Sequence, residues 1–263
     1  DGLYARTVNG DAYSKAVKDE VISIIREDLG KVDMVIYSLA APKRVLPDGT
    51  VCNSVLKTTD KPYTNKTIDL KSRTISEVTI EPATAEEIDA TVKVMGGEDW
   101  RDWIEALSAA DVLVKDAVTV AYSYIGPELT HPIYLDGSIG RAKAHLYQTA
   151  QEMNEQLSDI HAYVSVNKAL VTQSSAAIPV VPLYISILYK VMKEKGLHEG
   201  CIEQMYRLFH DKLYGIAVRT DTDGYIRLDD YEMQPDVQEE VSAIWNTLSN
   251  DNLAAINHLD RVW

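Results

Sequence analysis

The chain has 263 residues, of which 46% are apolar and 25% are charged. This size and composition are ordinary for a globular protein whose core fills one large domain or two small ones. Its 40 acidic residues outnumber its 26 basic ones, and the net charge of −14 argues against nucleic acid or an anionic membrane as the main partner.

The two cysteines, Cys52 and Cys201, lie far apart and form no metal-binding spacing, so the sequence predicts neither a disulfide framework nor a zinc site. No apolar run approaches the roughly 18 residues of a transmembrane helix. The first residues resemble neither a signal peptide nor a transit peptide. We therefore expect a soluble intracellular protein, in the cytoplasm or, in a eukaryote, in the mitochondrion.

Apolar residues at helical spacing predict a first helix over residues 15–29, which Gly30 ends. The continuous apolar run over residues 31–42 is typical of a buried parallel strand. Residues 43–82 mix β-branched and polar residues with Pro and Gly, which predicts an inserted β-hairpin.

The rest of the chain continues the alternation of helices and strands. Strands are predicted at 117–126 and 161–169, a small hairpin at 221–230, and helices at 83–95, 98–111, 140–157, 178–196, 198–213 and 235–248. This order predicts a single α/β domain over residues 1–263, with a doubly wound parallel sheet of the Rossmann type. Cofactors bind such sheets at the carboxyl ends of the strands.

One segment, YSYIGPELTHPIYLDGSIGRAKAHL at residues 122–146, places Tyr134 in a turn before a helix that carries Lys143. Hydride transfer to a carbonyl or an enoyl thioester builds negative charge on an oxygen, which a phenol can stabilise. A nearby ammonium favours the phenolate and can hold a cofactor's ribose or phosphates. The spacing exceeds one helical face, so the pair requires Gly137 and Gly140 to let the chain fold back.

Strings along essentially the whole chain resemble the trans-2-enoyl-CoA reductase family, which is related to the single-chain bacterial enoyl-ACP reductases with a Tyr-x8-Lys active site. Besides residues 122–146, they are GDAYS (10–14), YSLAAP (37–42), VKVMGGEDW (92–100), YVSVNKALVTQSSAAIPVVPLY (163–184), LYKVMKEKGLHEGCIEQ (188–204) and RLDDYEMQPDVQ (227–238). Several of these strings are long, so chance agreement does not account for them.

The resemblance implies reduction of the 2,3 double bond of trans-2-enoyl thioesters, carried by CoA or by acyl carrier protein, in fatty acid synthesis or fermentation. It implies NADH as the cofactor, with NADPH as the alternative, and no metal. Tyr134 is then the catalytic acid, Lys143 is its cofactor-contacting partner, and Tyr124 contacts the substrate. The resemblance also implies cofactor contacts at Asp11, Ala12, Leu39, Ala40, Val171, Thr172 and Gln173, and places the 43–82 hairpin near the substrate.

The sequence departs from the family at its start, because the glycine-rich phosphate turn G-x-G-x-x-G is absent. We therefore expect that an N-terminal βαβ unit is missing, that the chain is a fragment of a larger enzyme, and that this segment is a partner of the chain. The assembly is expected to be a monomer or a homodimer.

Two other functions stay open from the residues alone. The Tyr134 and Lys143 pair would also serve a ketoacyl reductase of the short-chain dehydrogenase type, and the missing phosphate turn would suit a non-catalytic nucleotide-binding domain. Tyr189 and Lys193 form the Tyr-x3-Lys spacing of ordinary short-chain dehydrogenases, but they lie in the middle of an apolar helix.

Overall fold

The computed structural model describes residues 2–214 and 217–256, apart from the side chains of Gln173 and Ala255. The first half of the chain alternates helices with short strands. Its elements are α1 (Lys15–Asp28), β1 (Val32–Tyr37), β2 (Lys43–Val45), β3 (Val51–Asn53), β4 (Tyr63–Asp69), β5 (Thr74–Ile80), α2 (Ala85–Met95), α3 (Glu98–Ala109) and β6 (Leu113–Ser123).

The second half is mainly helical. Its elements are α4 (His131–Tyr134), which follows a 3₁₀ turn at Glu128–Thr130, then α5 (Ser138–Gln156), β7 (Ile160–Val166), α6 (Gln173–Ala177), α7 (Val181–Glu194), α8 (Cys201–Arg207) with a π-helical turn at Leu208–Leu213, β8 (Tyr225–Arg227), α9 (Pro235–Thr247) and a last 3₁₀ turn at Leu253–Ile256.

A four-stranded sheet with the order β1-β6-β7-β8 runs through the fold, and β1 pairs with β6 in parallel. The predicted α/β class is therefore confirmed. β6 begins at Leu113, four residues before the prediction. The early part was missed because Lys115 and Asp116 interrupt the apolar run. In the structure, Asp116 has a left-handed backbone (φ 60°) and the β1–β6 register shifts between Val32 and Met34, so the strand continues through an irregularity.

The chain divides into two compact units. Unit 1 contains residues 1–54, 89–122 and 142–164, and unit 2 contains residues 55–88, 123–141 and 165–263. Buried side chains of α3, β6 and α5, such as Trp100, Val120 and Met153, form the core of unit 1. In unit 2, α7 is buried along almost its whole length and packs with Val237 and Val241 of α9.

The segment 43–82 forms two antiparallel pairs rather than one hairpin. β2 pairs with β3 in unit 1, and β4 pairs with β5 in unit 2. The second pair is tied to α9, because Lys66 Nζ donates to the carbonyl oxygens of Trp245 at 2.8 Å and Leu248 at 2.9 Å. These carbonyl groups lie in the last turn and at the C-cap of α9, where no helical N–H remains to bind them. The ammonium of Lys66 therefore provides their hydrogen bonds.

Within the described residues, no helix is both long and apolar enough to cross a membrane. The same residues contain no group of three or more His, Cys, Asp or Glu side chains placed to hold a metal ion. Cys52 is buried and Cys201 is exposed, and both are free thiols.

Candidate active site

Tyr134 is the last residue of the short helix α4 in unit 2. The helix begins with Pro132 in its first turn, where the missing N–H costs nothing. It ends with the backbone N–H groups of Leu135 and Asp136, which both donate to His131 O. The tyrosine thus lies in a tight turn ahead of α5, as the sequence predicted.

Two glycines make this turn sterically feasible. A Cβ atom on Gly137 would lie 2.3 Å from Ile133 O and 2.8 Å from Lys57 O, and one on Gly140 would lie 1.9 Å from Leu135 O. Since any side chain would collide with backbone at both positions, the path from Tyr134 into α5 requires glycine. Ser138, which lies between the two glycines, donates its backbone N–H to Lys57 O at 2.9 Å. This hydrogen bond fixes the turn to the segment between β3 and β4.

Tyr124 follows the end of β6 and contacts Tyr134 directly. The two ring centroids are 4.8 Å apart and the ring planes are at 89°, which is the favourable edge-to-face arrangement. The Tyr124 hydroxyl donates to Glu232 Oε1 at 3.0 Å. The structure therefore brings the predicted acid and the predicted substrate contact together in unit 2.

The two tyrosines line a cavity of about 200 Å³. Its other sides are formed by the segment after β7 and by α6 and α7, with the apolar side chains Ile178, Val181 and Ile185 and the buried Lys168. A small cavity with mostly apolar walls and a few converging polar groups is typical of a small-molecule site. Within the described residues, the Tyr134 hydroxyl makes no hydrogen bond, so it can donate one to a ligand here.

Burial raises the pKa of Tyr134, and the carboxylate of Glu232 raises it further. Both causes disfavour the phenolate, so Tyr134 is a neutral hydrogen-bond donor at physiological pH. The sequence had indicated only a nearby ammonium, which would lower the pKa of the Tyr134 phenol. No sequence pattern indicates the burial of Glu232, because this burial arises from tertiary contacts.

Lys143 lies on α5 in unit 1. Its Nζ donates to Tyr122 O at 3.2 Å at the end of β6, and burial lowers its pKa to about 8. Tyr134 belongs to unit 2, and the pairing of the two side chains stays a prediction.

The cofactor candidates near the N-terminus lie in unit 1. Asp11 forms an Asx-turn in which its Oδ1 accepts the N–H of Tyr13 at 3.0 Å. Ala12 and Leu39 line one cavity of about 480 Å³ together with apolar side chains of α1 and β1. Asp11 and Ala40 are exposed outside this lining. The cavity runs along the whole of β1, and Ala12 and Leu39 line it together with residues from the first to the last of that strand.

The turn at Ala12 and Tyr13 is held by a buried ion pair. Lys18 Nζ lies 2.6 Å from Asp99 Oδ1 and donates to Tyr13 O at 3.0 Å, while the Tyr37 hydroxyl donates to Asp99 Oδ2 at 3.2 Å. Trp103 Nε1 donates to Ala12 O at 3.1 Å. The string GDAYS therefore has a defined backbone position that α1 and α3 provide.

The remaining cofactor candidates lie in unit 2, after β7. Val171 donates its N–H to the Tyr189 hydroxyl at 3.2 Å, which gives that tyrosine a structural role. Thr172 is the N-cap of α6, its Oγ1 accepts the N–H of Ser175 at 3.0 Å, and it lines the cavity of Tyr134. Gln173 begins α6, but its side chain lies outside the described residues.

Sequence reasoning assigned no role to Glu232 or Lys168. Both side chains are buried, at 0% and 2% exposure. Lys168 Nζ donates to Ala169 O at 2.9 Å and lies 4.6 Å from the centre of the Tyr189 ring, and burial lowers its pKa to about 8. Both residues occur in strings that carry the family resemblance, which is the signal that could have identified them.

Comparisons with known proteins relate the chain to enoyl reductases. The model of the trans-2-enoyl-CoA reductase catalytic region matches residues 1–214, and the model of the enoyl reductase FAD binding domain matches residues 220–263. The chain is 54% identical to the trans-2-enoyl-CoA reductase (NADH) of Ruminiclostridium cellulolyticum, over 99% of this chain and 67% of that protein. It is 55% identical to the enoyl-acyl-carrier-protein reductase (NADH) of Flavobacterium johnsoniae, over 98% of this chain and 66% of that protein.

Solved structures give the same result. The Treponema denticola trans-2-enoyl-CoA reductase in complex with NAD superposes with a TM-score of 0.93 at 47% identity, over 98% of this chain and 67% of that one. A trans-2-enoyl-CoA reductase from a Clostridium species in complex with NADH gives a TM-score of 0.95 at 44% identity, over 99% of this chain and 67% of that one. The chain spans about two thirds of the length of the relatives it matches.

The described part of the second match, residues 220–256, does not fit the flavin that its description names. The segment contains nine acidic residues and a single basic one, Arg227, which already pairs with Asp221 and Asp229. Its helix α9 begins with Pro235 and Asp236 in the first turn, where a pyrophosphate would need free N–H groups.

The model of the catalytic region covers residues 1–214. The relatives from Ruminiclostridium cellulolyticum and Flavobacterium johnsoniae are 54% and 55% identical to the chain. The predicted family is thus confirmed, and the chain belongs to the trans-2-enoyl-CoA reductase family.

Proposed function

We propose that this chain carries out the reduction of the 2,3 double bond of a trans-2-enoyl thioester by NADH, with Tyr134 as the acid. The observation that carries the proposal is a neutral, half-buried phenol in the wall of an apolar cavity, with a second tyrosine packed against its ring. The names of the relatives, which include reductases of enoyl-CoA and of enoyl-acyl carrier protein that use NADH, support the substrate class and the cofactor.

Bound NADH would supply a hydride to C3 of the substrate. The electrons of the double bond then move to the thioester oxygen, where an enolate forms. Tyr134 donates a hydrogen bond to that oxygen, and because the cavity is apolar, this bond stabilises the developing charge more than it would in water. The enolate then takes the proton of Tyr134, C2 is protonated as the thioester re-forms, and the phenol regains a proton from solvent, which completes the reduction.

The raised pKa of Tyr134 suits this role. A phenol whose pKa was lowered towards neutrality by a nearby ammonium would lose its proton and would repel an enolate oxygen. Burial and Glu232 both favour the protonated form, so the donor is present before the hydride arrives. Tyr124, whose hydroxyl is engaged with Glu232, provides an aromatic face beside the reacting group.

Two sets of residues would hold the cofactor. In unit 1, Ala12 and Leu39 line the cavity along β1, next to Asp11 and Ala40, and Lys143 provides an ammonium at the end of β6. In unit 2, Val171, Thr172 and Gln173 follow the carboxyl end of β7, where the nicotinamide end is expected. The choice between NADH and NADPH, the N-terminal partner segment and the monomer or homodimer stay predictions.

The full-length protein tests the proposal by its choice of substrate. Incubation with NADH and crotonyl-CoA should consume NADH and yield butyryl-CoA, and incubation with acetoacetyl-CoA should not. Turnover of acetoacetyl-CoA alone would make the protein a ketoacyl reductase. Tight binding of NADH without turnover of either thioester would make it a nucleotide-binding domain.

A further inference from the structure

Glu232 is a fully buried carboxylate beside the two tyrosines of the proposed site. It lies between β8 and α9 in the string RLDDYEMQPDVQ. Among the described residues, no ammonium or guanidinium group lies within ion-pair distance of it. The positive charge of Lys168 acts on it and lowers its pKa, against the effect of burial.

Three donors converge on the two carboxylate oxygens. Oε1 accepts from the hydroxyls of Tyr184 at 2.6 Å and Tyr124 at 3.0 Å, and Oε2 accepts the backbone N–H of Ala169 at 2.7 Å. Burial raises the pKa of Glu232, while these hydrogen bonds oppose that effect. Since all three groups donate, the side chain acts as the acceptor expected of an ionised carboxylate.

Such a group is costly to bury. An apolar side chain of similar volume would fill the same space without the loss of hydration. Its partners come from three parts of unit 2 that surround the cavity: Tyr124 follows β6, Ala169 follows β7, and Tyr184 lies on α7. Tyr124 and Ala169 also line the cavity themselves.

We propose that Glu232 is a positioning residue of the reduction: it holds the Tyr124 ring against the Tyr134 ring and so fixes Tyr134 in the cavity wall. The inference rests on the proposed function. It follows from the geometry, because the hydroxyl of Tyr124 is bound to Glu232 while the ring of Tyr124 contacts the ring of Tyr134. Glu232 touches no reacting group, and its effect passes through Tyr124.

The charge of Glu232 supports the same role. After burial, Glu232 is the next largest cause of the raised pKa of both Tyr124 and Tyr134. The carboxylate therefore acts on the same two phenols that its hydrogen bond and the ring contact link.

The test measures steady-state reduction of crotonyl-CoA by the full-length protein carrying Glu232→Gln, Tyr124→Phe, or both. We expect Glu232→Gln to lower kcat at least tenfold, with the KM for NADH changed less than twofold. If Glu232 acts through Tyr124, the double variant should be no slower than Tyr124→Phe alone. Unchanged kcat in Glu232→Gln, or losses that multiply in the double variant, would overturn the proposal.

A matched control is Glu199→Gln, which changes another buried glutamate of unit 2 to the same amide. Glu199 pairs with Arg207 at 2.6 Å, so its loss should lower stability and leave kcat within twofold. An equal fall of kcat in Glu199→Gln would assign both effects to general destabilisation and refute the inference.

Glu232→Asp is the second variant, for the case that the amide prevents folding. It keeps the charge but withdraws the carboxylate from Tyr124 by one methylene, so a folded variant should still lose kcat. Full activity in that variant would also refute the inference. Absence of turnover in the wild-type protein would refute the proposed function instead, so the two failures are distinguishable.

Discussion

Asp99 in unit 1 and Glu232 in unit 2 are both almost completely buried, and the two carboxylates are held in different ways. Asp99 in unit 1 is 1% exposed and forms an ion pair with Lys18 at 2.6 Å. Glu232 in unit 2 is 0% exposed and is held by two phenols and a backbone N–H. Each also accepts a hydrogen bond from a tyrosine, Tyr37 in the first case and Tyr124 in the second.

The difference distinguishes a network that holds backbone in place from a network that acts on the tyrosines of the proposed site. A carboxylate with an ammonium beside it is locally neutral, and its network positions backbone, here the turn at Ala12 and Tyr13. A carboxylate held by phenols keeps its negative charge, which acts on the tyrosines around it. We infer that the first network supports a cofactor contact and that the second network positions the reacting phenol.

The largest effect is expected when the ion pair of unit 1 is broken. Lys18→Met leaves the Asp99 carboxylate buried without its cation, and should lower the free energy of unfolding by about 3–5 kcal/mol. Urea denaturation followed by circular dichroism measures this loss. Lys15→Met is the control, because the pair of Lys15 with Asp19 is exposed and should contribute only about 0.5 kcal/mol. Equal losses in the two variants would contradict the account.

A sharper comparison removes one phenol from each network. Tyr37→Phe and Tyr124→Phe each delete a hydrogen bond to a buried carboxylate, and each should lower the free energy of unfolding by about 1.5–3 kcal/mol. Only Tyr124→Phe should also lower kcat for crotonyl-CoA. The two enzymes are compared by denaturation and by initial rates. A fall of kcat that is the same in both would remove the functional distinction between the networks.

A further effect is a dependence of the free energy of unfolding on pH. Burial lowers the pKa of Lys143 and of Lys168 from 10.5 to about 8. Between these values the unfolded chain holds protons that the folded chain has lost, so the free energy of unfolding should rise from pH 8 towards pH 10. Above pH 10, the raised pKa values of the buried tyrosines act in the opposite direction. Lys143→Met should reduce the rise, and an unchanged slope in that variant would argue against burial of its ammonium.

Much of the fold follows from local patterns. Helices α1, α2, α7 and α9 lie within a few residues of their predicted bounds, because apolar spacing, Gly30 and the Gly96-Gly97 pair mark them in the sequence. The division of residues 43–82 into two separate strand pairs was not predicted. It depends on long-range contacts such as that of Lys66 with the end of α9, which no local pattern shows.

The site was predicted in part. Tyr134 and Tyr124 do lie together, and the turn between α4 and α5 requires glycine at the two positions that the sequence marked. No local pattern indicated the burial of Glu232, because a glutamate among several acids normally indicates a solvated surface. Its burial exists only once α7, α9 and the ends of two strands pack around it.

The central claim is that the protonated hydroxyl of Tyr134 stabilises the enolate oxygen. Tyr134→Phe removes this hydroxyl and keeps the ring contact with Tyr124, and the exposed Tyr206 provides the matched control Tyr206→Phe. The decisive measurement is kcat of the full-length protein for crotonyl-CoA with saturating NADH. The account predicts a fall of at least about 100-fold in Tyr134→Phe, with an unchanged fold and full activity in Tyr206→Phe. A folded Tyr134→Phe variant with kcat close to that of the wild type would contradict it.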